Sequence, residues 1–248
     1  MQAAEQTNPD PDTQGKAPAR DRSAVLAGPL LRHVAPDRVV LWLTAREPLD
    51  LRLRLSERDH PERTLLERDL DEAELTRLRI GTHAWLHLID TRLDDPLPRD
   101  TRLEYDLGIA GTGDMGWIRD WAPHLCPENR ERPGFVIKSR LDRILHGSCR
   151  RPHHPSGDGL VRVDEELRKA DRLEEVPALL LMTGDQIYAD DVAGPMLHAI
   201  QCVIRQLGLY QEVLEGASLS HSRELTSLDK AYYHRDRLLP ESEFNEDL

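Results

Sequence analysis

The chain has 248 residues, 33 basic against 45 acidic, and a formal net charge of −12; this length can bury a core unaided, and this charge repels nucleic-acid phosphates, which excludes a general nucleic-acid binder. Three scattered cysteines (Cys126, Cys149 and Cys202) form no CxxC pair, so neither a zinc knuckle nor a disulfide framework is expected, and a reducing compartment fits. No apolar run approaches the roughly 20 residues that cross a bilayer, and the expectation is a cytoplasmic protein with no membrane partner.

Residues 1–23 are rich in Gln, Asp, Pro and Arg and carry no apolar h-region, so they read as a disordered leader rather than a secretory signal. Across residues 24–111 the apolar pattern has a period of two, as expected for antiparallel strands with one buried face. Leu51, Leu53 and Leu55 alternate with Arg52 and Arg54, and residues 39–43, 82–89 and 103–109 supply further strands between Pro, Asp and Gly clusters. Residues 65–78 follow neither period. The strand spacing predicts a small antiparallel β-sandwich. His83 and His87 have metal-like spacing only on a helix; on a strand both are expected at the sheet surface.

Residues 112–135, with their Gly, Pro, Trp117 and Trp121, read as a linker. Residues 111–116 match GxGxxG, but Trp117, Pro123 and Pro127 follow where a dinucleotide site needs a helix, so the glycines are taken as linker. The period then changes. Residues 136–146 contain a strand ending at Ile144 and Leu145, after which Leu160, Val163, Leu167, Ala170 and Leu173 recur at helical spacing. Residues 178–183, ALLLMT, are wholly apolar between Pro177 and Gly184, the pattern of a strand covered on both faces. Residues 192–214 read as another helix through Met196, Ile200, Val203, Ile204 and Leu207. Strand, helix, strand, helix predicts a parallel βαβ unit with reactive loops at its strand C-terminal ends.

Two loops occupy those ends: HGSCRR (residues 146–151) and GDQIYADD (residues 184–191). Gly184 permits a sharp turn after the strand, and Asp185 then offers a hard oxygen donor at the sheet edge. Tyr188 can fold back to the same point, and a thiolate from Cys149 completes three anionic donors whose joint charge favours a trivalent ion such as Fe3+. Arg150 and Arg151 have forks suited to phosphoryl oxygens, although exposed arginines usually just solvate a loop. Each residue also has a plain structural reading. Cys149 alone would be a small buried hydrophobe, Asp185 a helix cap, Tyr188 a half-buried aromatic, and Asp190 and Asp191 first-turn acids complementing a helix dipole. His153 and His154 read as a surface loop, since no second cysteine completes a zinc set. A cysteine-nucleophile phosphatase is excluded because no arginine follows Cys149 at the spacing that closes a phosphate loop.

The pair HGSCRRPH and LLLMTGDQIYADD, preceded by GPLLRHVAPDRVVLWL, resembles the alkaline phosphatase D family of calcineurin-like metallophosphoesterases. The resemblance spans roughly residues 26–214. It implies an α+β two-domain chain, with an N-terminal fibronectin-like antiparallel β-sandwich (residues 24–111) followed by an α/β metallophosphoesterase domain (residues 136–248). It also implies that Cys149 and Tyr188 hold a ferric ion and that Asp185, the catalytic carboxylate, bridges it to a divalent Ca2+, Zn2+ or Mn2+. Arg150 and Arg151 are the candidate substrate contacts, and the implied reaction is hydrolysis of phosphate mono- or diesters. The family's later motifs, Asn-His and then Gly-His or His-x-His, do not occur in the sequence. The α/β domain is therefore expected to be partial and C-terminally truncated, with a partner chain or self-association completing it. The alternative is a non-catalytic remnant acting as a binding or packing module.

Overall fold

A computed structural model describes residues 23–110, 115–127, 130–151, 154–188 and 192–226. The leader up to residue 22, residues 111–114 of the glycine motif, His153, Asp190 and Asp191 lie outside the described residues. The elements in chain order are β1 (Val25–Ala35), β2 (Arg38–Ala45), β3 (Leu51–Glu57), β4 (Thr64–Asp69), β5 (Leu75–Gly81), β6 (Ala84–Arg92), β7 (Arg102–Ile109), α1 (Ile118–Trp121), β8 (Gly134–Val136), β9 (Ile144–Gly147), α2 (Gly159–Lys169), β10 (Leu179–Met182) and α3 (Gly194–Leu207). The protein is thus mixed α+β, mainly antiparallel sheet with few helices.

Two antiparallel four-stranded sheets, ordered β1-β2-β6-β5 and β4-β3-β7-β8, share one core. Alternation builds it: Leu51, Leu53 and Leu55 point inward from β3 to meet Leu103 and Leu107 of β7 and Leu41, Leu43 and Ile89 of the other sheet. The intervening arginines face out and pair across to β4, Arg52 with Asp69 at 2.7 Å and Arg54 with Glu67 at 2.8 Å. Residues 65–78 lacked a clear period because they belong to two strands in different sheets. β4 pairs with β3, β5 pairs with β6, and the Asp71 turn between them accepts the Ala73 and Glu74 N–H groups.

Two expectations change here. His87 was expected at the sheet surface but is fully buried, its Nε2 accepting the Leu49 N–H at 2.9 Å. It shares the inward parity with Ile89, while Leu88 is left partly exposed on the outer face. The described part of the segment expected as a linker packs against the sheets. Ile118 and Ala122 join the core, β8 extends the β7 edge, Asp106 accepts the Ile118 N–H at 3.1 Å and lies 3.3 Å from Arg132, and Arg54 stacks 4.1 Å over the Trp117 ring.

Strands β9 and β10 form a separate parallel pair in the register Ile144↔Leu179 to Gly147↔Met182. The expectation that residues 178–183 are covered on both faces is corrected: Ile144, Leu179, Leu180 and Leu181 remain 40–49% exposed. Covering both faces of a parallel pair takes helices packed on each side. The described residues do not supply two such layers. Among them, no helix is long and apolar enough to cross a membrane.

Candidate metal centre

The two strand ends are stitched together beyond the strands themselves. Thr183 N–H donates to Gly147 O at 3.0 Å, Cys149 N–H to Gly184 O at 3.1 Å, Arg150 N–H to Asp185 O at 2.8 Å, and Tyr188 N–H to Arg150 O at 2.9 Å. Each loop therefore braces the other. Gly184, at φ +150°, supplies the turn after β10, a conformation that L side chains rarely adopt. Cys149 (φ 51°) and Asp185 (φ 42°) both take the left-handed conformation, and among the described residues only Asp100 joins them as a non-glycine residue with positive φ. Such a backbone costs on the order of 1–3 kcal/mol per residue and concentrates at ligand-binding and active sites. Here it falls on two of the three candidate ligands.

Side-chain donors converge at these two positions. Asp185 Oδ2 accepts the Tyr188 hydroxyl at 3.1 Å and lies 3.5 Å from Cys149 Sγ. Hydrogen bonds to Cys149 and Asp185, reinforced by the negative charge of both, push the Tyr188 phenol up to about 12. The phenol therefore holds its proton and donates a hydrogen bond to the Asp185 carboxylate. The donor set fits a metal: ligand distances of roughly 2.0–2.3 Å put neighbouring donors about 3 Å apart around one ion. Two oxygens and a sulfur, all anionic once deprotonated, match a small highly charged ion and suit Mg2+ or Ca2+ poorly. Among the described residues no group of three His, Cys, Asp or Glu side chains has metal-ligand spacing, and this trio lies outside that description because its third member is a tyrosine.

A cleft of about 570 Å³ is lined by Cys149 and Tyr188 of the trio, by Arg150 and Arg151, and by the apolar Val163 and Leu180. The two arginines expected to contact substrate differ. Arg151 is exposed and lines the cleft. The Arg150 fork is held bidentately by Asp158, Nε at 3.0 Å and Nη2 at 2.6 Å. That bond raises the Arg150 pKa and holds the Asp158 carboxyl below its usual range. His154 turns into its own loop, Nδ1 2.8 Å from Ser156 Oγ. His146 meets Thr183 Oγ1 at 2.9 Å. Neither histidine is brought into bonding contact with the trio.

Sequence reading missed Asp158. It N-caps α2, accepting the Leu160 N–H at 3.0 Å, and it holds Arg150. An Asp just before a helical apolar repeat is a recognisable cap signal, but its partnership with a residue eight positions earlier is not. No protein-family model matches the chain, and a search of curated proteins gives no match.

Proposed function

We propose that this chain carries the ferric half of a two-metal phosphoesterase centre of alkaline phosphatase D type, hydrolysing phosphate mono- or diesters. The observation that supports it is the meeting of Cys149 Sγ, Asp185 Oδ2 and Tyr188 OH at 3.1–3.5 Å above two parallel strand ends, on backbone held in the left-handed region at two of the three positions. In this reading Cys149, Asp185 and Tyr188 would hold Fe3+, Asp185 would also serve a divalent Ca2+, Zn2+ or Mn2+, and a fibronectin-like sandwich precedes the phosphoesterase domain. Bound there, the metals supply charge neutralisation and a water of lowered pKa.

The chain's own residues do the rest. Asp185 presents its carboxylate where the two loops meet, Tyr188 would give up its phenol proton on ligation, and Arg151, which lines the cleft, is the candidate contact for phosphoryl oxygens. Leu180 and Val163 give the ester's organic group an apolar wall. Because Tyr188, whose phenol pKa is raised, would have to lose its proton on ligation, ferric affinity should rise with pH.

The test is titration of the full chain with ferric citrate, followed by Zn2+, Mn2+ or Ca2+. The expected result is a visible tyrosinate-to-iron band, absent from Tyr188→Phe, and metal-dependent turnover of bis(p-nitrophenyl) phosphate that drops at least about 100-fold on Asp185→Asn. Colourless, inert protein overturns the proposal and favours the non-catalytic remnant.

A further inference from the structure

Among the described residues, Arg150 alone bonds the Asp185–Tyr188 loop through both its main-chain groups, donating to Asp185 O at 2.8 Å and accepting from Tyr188 N–H at 2.9 Å. Its neighbour Cys149 is fixed in the same ladder through Gly184 O at 3.1 Å. All three candidate ligands therefore depend on where the Arg150 backbone sits. Eight positions further along the chain, Asp158 is the N-cap of α2. The Asp158 carboxylate takes both edges of the Arg150 fork while also capping α2 through Leu160 N–H at 3.0 Å. The side chains of Arg150 and Asp158 are 27% and 19% exposed, sheltered enough for a fork-on-carboxylate pair to hold one geometry.

Resting on the ferric reading above, we infer that Asp158 is a positioning residue of the metal centre: by clamping Arg150 to the N-terminus of α2 it fixes the loop whose main chain brings Cys149, Asp185 and Tyr188 together. Arg150 accordingly belongs to this clamp and is not the phosphate contact that its place after Cys149 suggests. Asparagine separates the two jobs of Asp158. It caps a helix about as well as aspartate does, yet it cannot accept two charge-assisted bonds from a guanidinium. Asp158→Asn therefore keeps the helix and loses the clamp.

The experiment is ferric citrate titration of the full chain as wild type, Asp158→Asn, Arg150→Ala and the double variant, read by the tyrosinate-to-iron band. Thermal melting of the metal-free proteins runs in parallel. Metal-ligand supporting partners typically govern about 10- to 100-fold in affinity, so each single variant should bind Fe3+ more weakly by that factor, with its band moved or broadened. Metal-free melting of Asp158→Asn should match wild type, and the double variant should be no weaker than the worse single one, since both remove one interaction. Arg150→Lys keeps a charge without the fork and should fall with Arg150→Ala. Wild-type affinity and band in Asp158→Asn overturn the inference, as do losses that simply add. A variant that keeps its iron but raises KM for bis(p-nitrophenyl) phosphate also overturns it, because Arg150 is then a substrate contact. A wild type without any band removes the ferric reading itself, and the clamp's role goes with it.

Discussion

His87 shows how one side chain ties solution behaviour to packing. Burial lowers its pKa from the usual imidazole value near 6.5, because the charged form cannot be hydrated inside the core. Its unfolded form therefore takes up a proton first as pH falls. The stability contributed by neutral His87 is complete above pH about 6.5 and is lost as pH drops below that value towards the lower folded pKa. Urea unfolding between pH 5 and 8 should show this decline in wild type and a flatter profile in His87→Leu. The same substitution strands the buried Leu49 N–H, so His87→Leu should be less stable at pH 8 by about 1–3 kcal/mol. The alternation of residues 82–89 was legible in the sequence, but the inward parity was not. Leu86 and Leu88 are as apolar as Ile89, and the sheet that β6 faces decides which set is buried. The candidate donors Cys149, Asp185 and Tyr188 could be proposed from the sequence because they follow strand ends, where local pattern alone places a loop.

At the scale of elements, both long helices end on groups of the antiparallel sheets. Arg102 of β7 donates to the carbonyl of Ala170 at 3.1 Å, just past α2, where a cation also meets the negative end of the helix dipole. Thr82 and His83 N–H groups, in the β5–β6 turn, donate to Gly208 O at 2.9 Å and Leu207 O at 2.8 Å and so satisfy carbonyls at the end of α3. This contact needs bare backbone. A Cβ on Gly81 would stand 2.9 Å from the carbonyl oxygens of both Leu207 and Gly208. Gly81→Ala should therefore lower stability by about 1–3 kcal/mol in thermal melts, whereas Gly159→Ala, with nothing within 4 Å of the added carbon, should be neutral or slightly stabilising. The repeats of both helices were readable, but each was expected to run beyond its observed end at Lys169 or Leu207. Helical spacing continues in the apolar residues past those points, while Gly208 at φ +58° and the long-range carbonyl partners stop the helix.

Over the whole molecule the apolar surface is unevenly spent. The sheet pair encloses fully buried leucines at positions 41, 43, 53 and 107, and β10 exposes Leu179, Leu180 and Leu181 by 40–46%. Leu53→Ala should cost about 2–5 kcal/mol, while Leu181→Ala, which removes little buried surface, should cost less than about 1 kcal/mol. Chemical denaturation of the two variants checks the contrast. A large loss at Leu181 would show that in solution a further layer covers β10, as the wholly apolar sequence of that strand leads one to expect.

The sequence alone determined which residues share a face, where the strand-to-loop turns fall and which side chains could act as donors there, because periods of two and 3.6 and glycine turns are properties of a few consecutive residues. Only the tertiary structure decided that His87 faces inward, that Ile118, Ala122 and Ile137 join the core of the sheets, that Arg150 belongs to Asp158, and that β10 is partly bare. Each of those outcomes depends on which distant surface arrives opposite a face, and that is a matter of contact between remote parts of the chain, invisible to any local pattern.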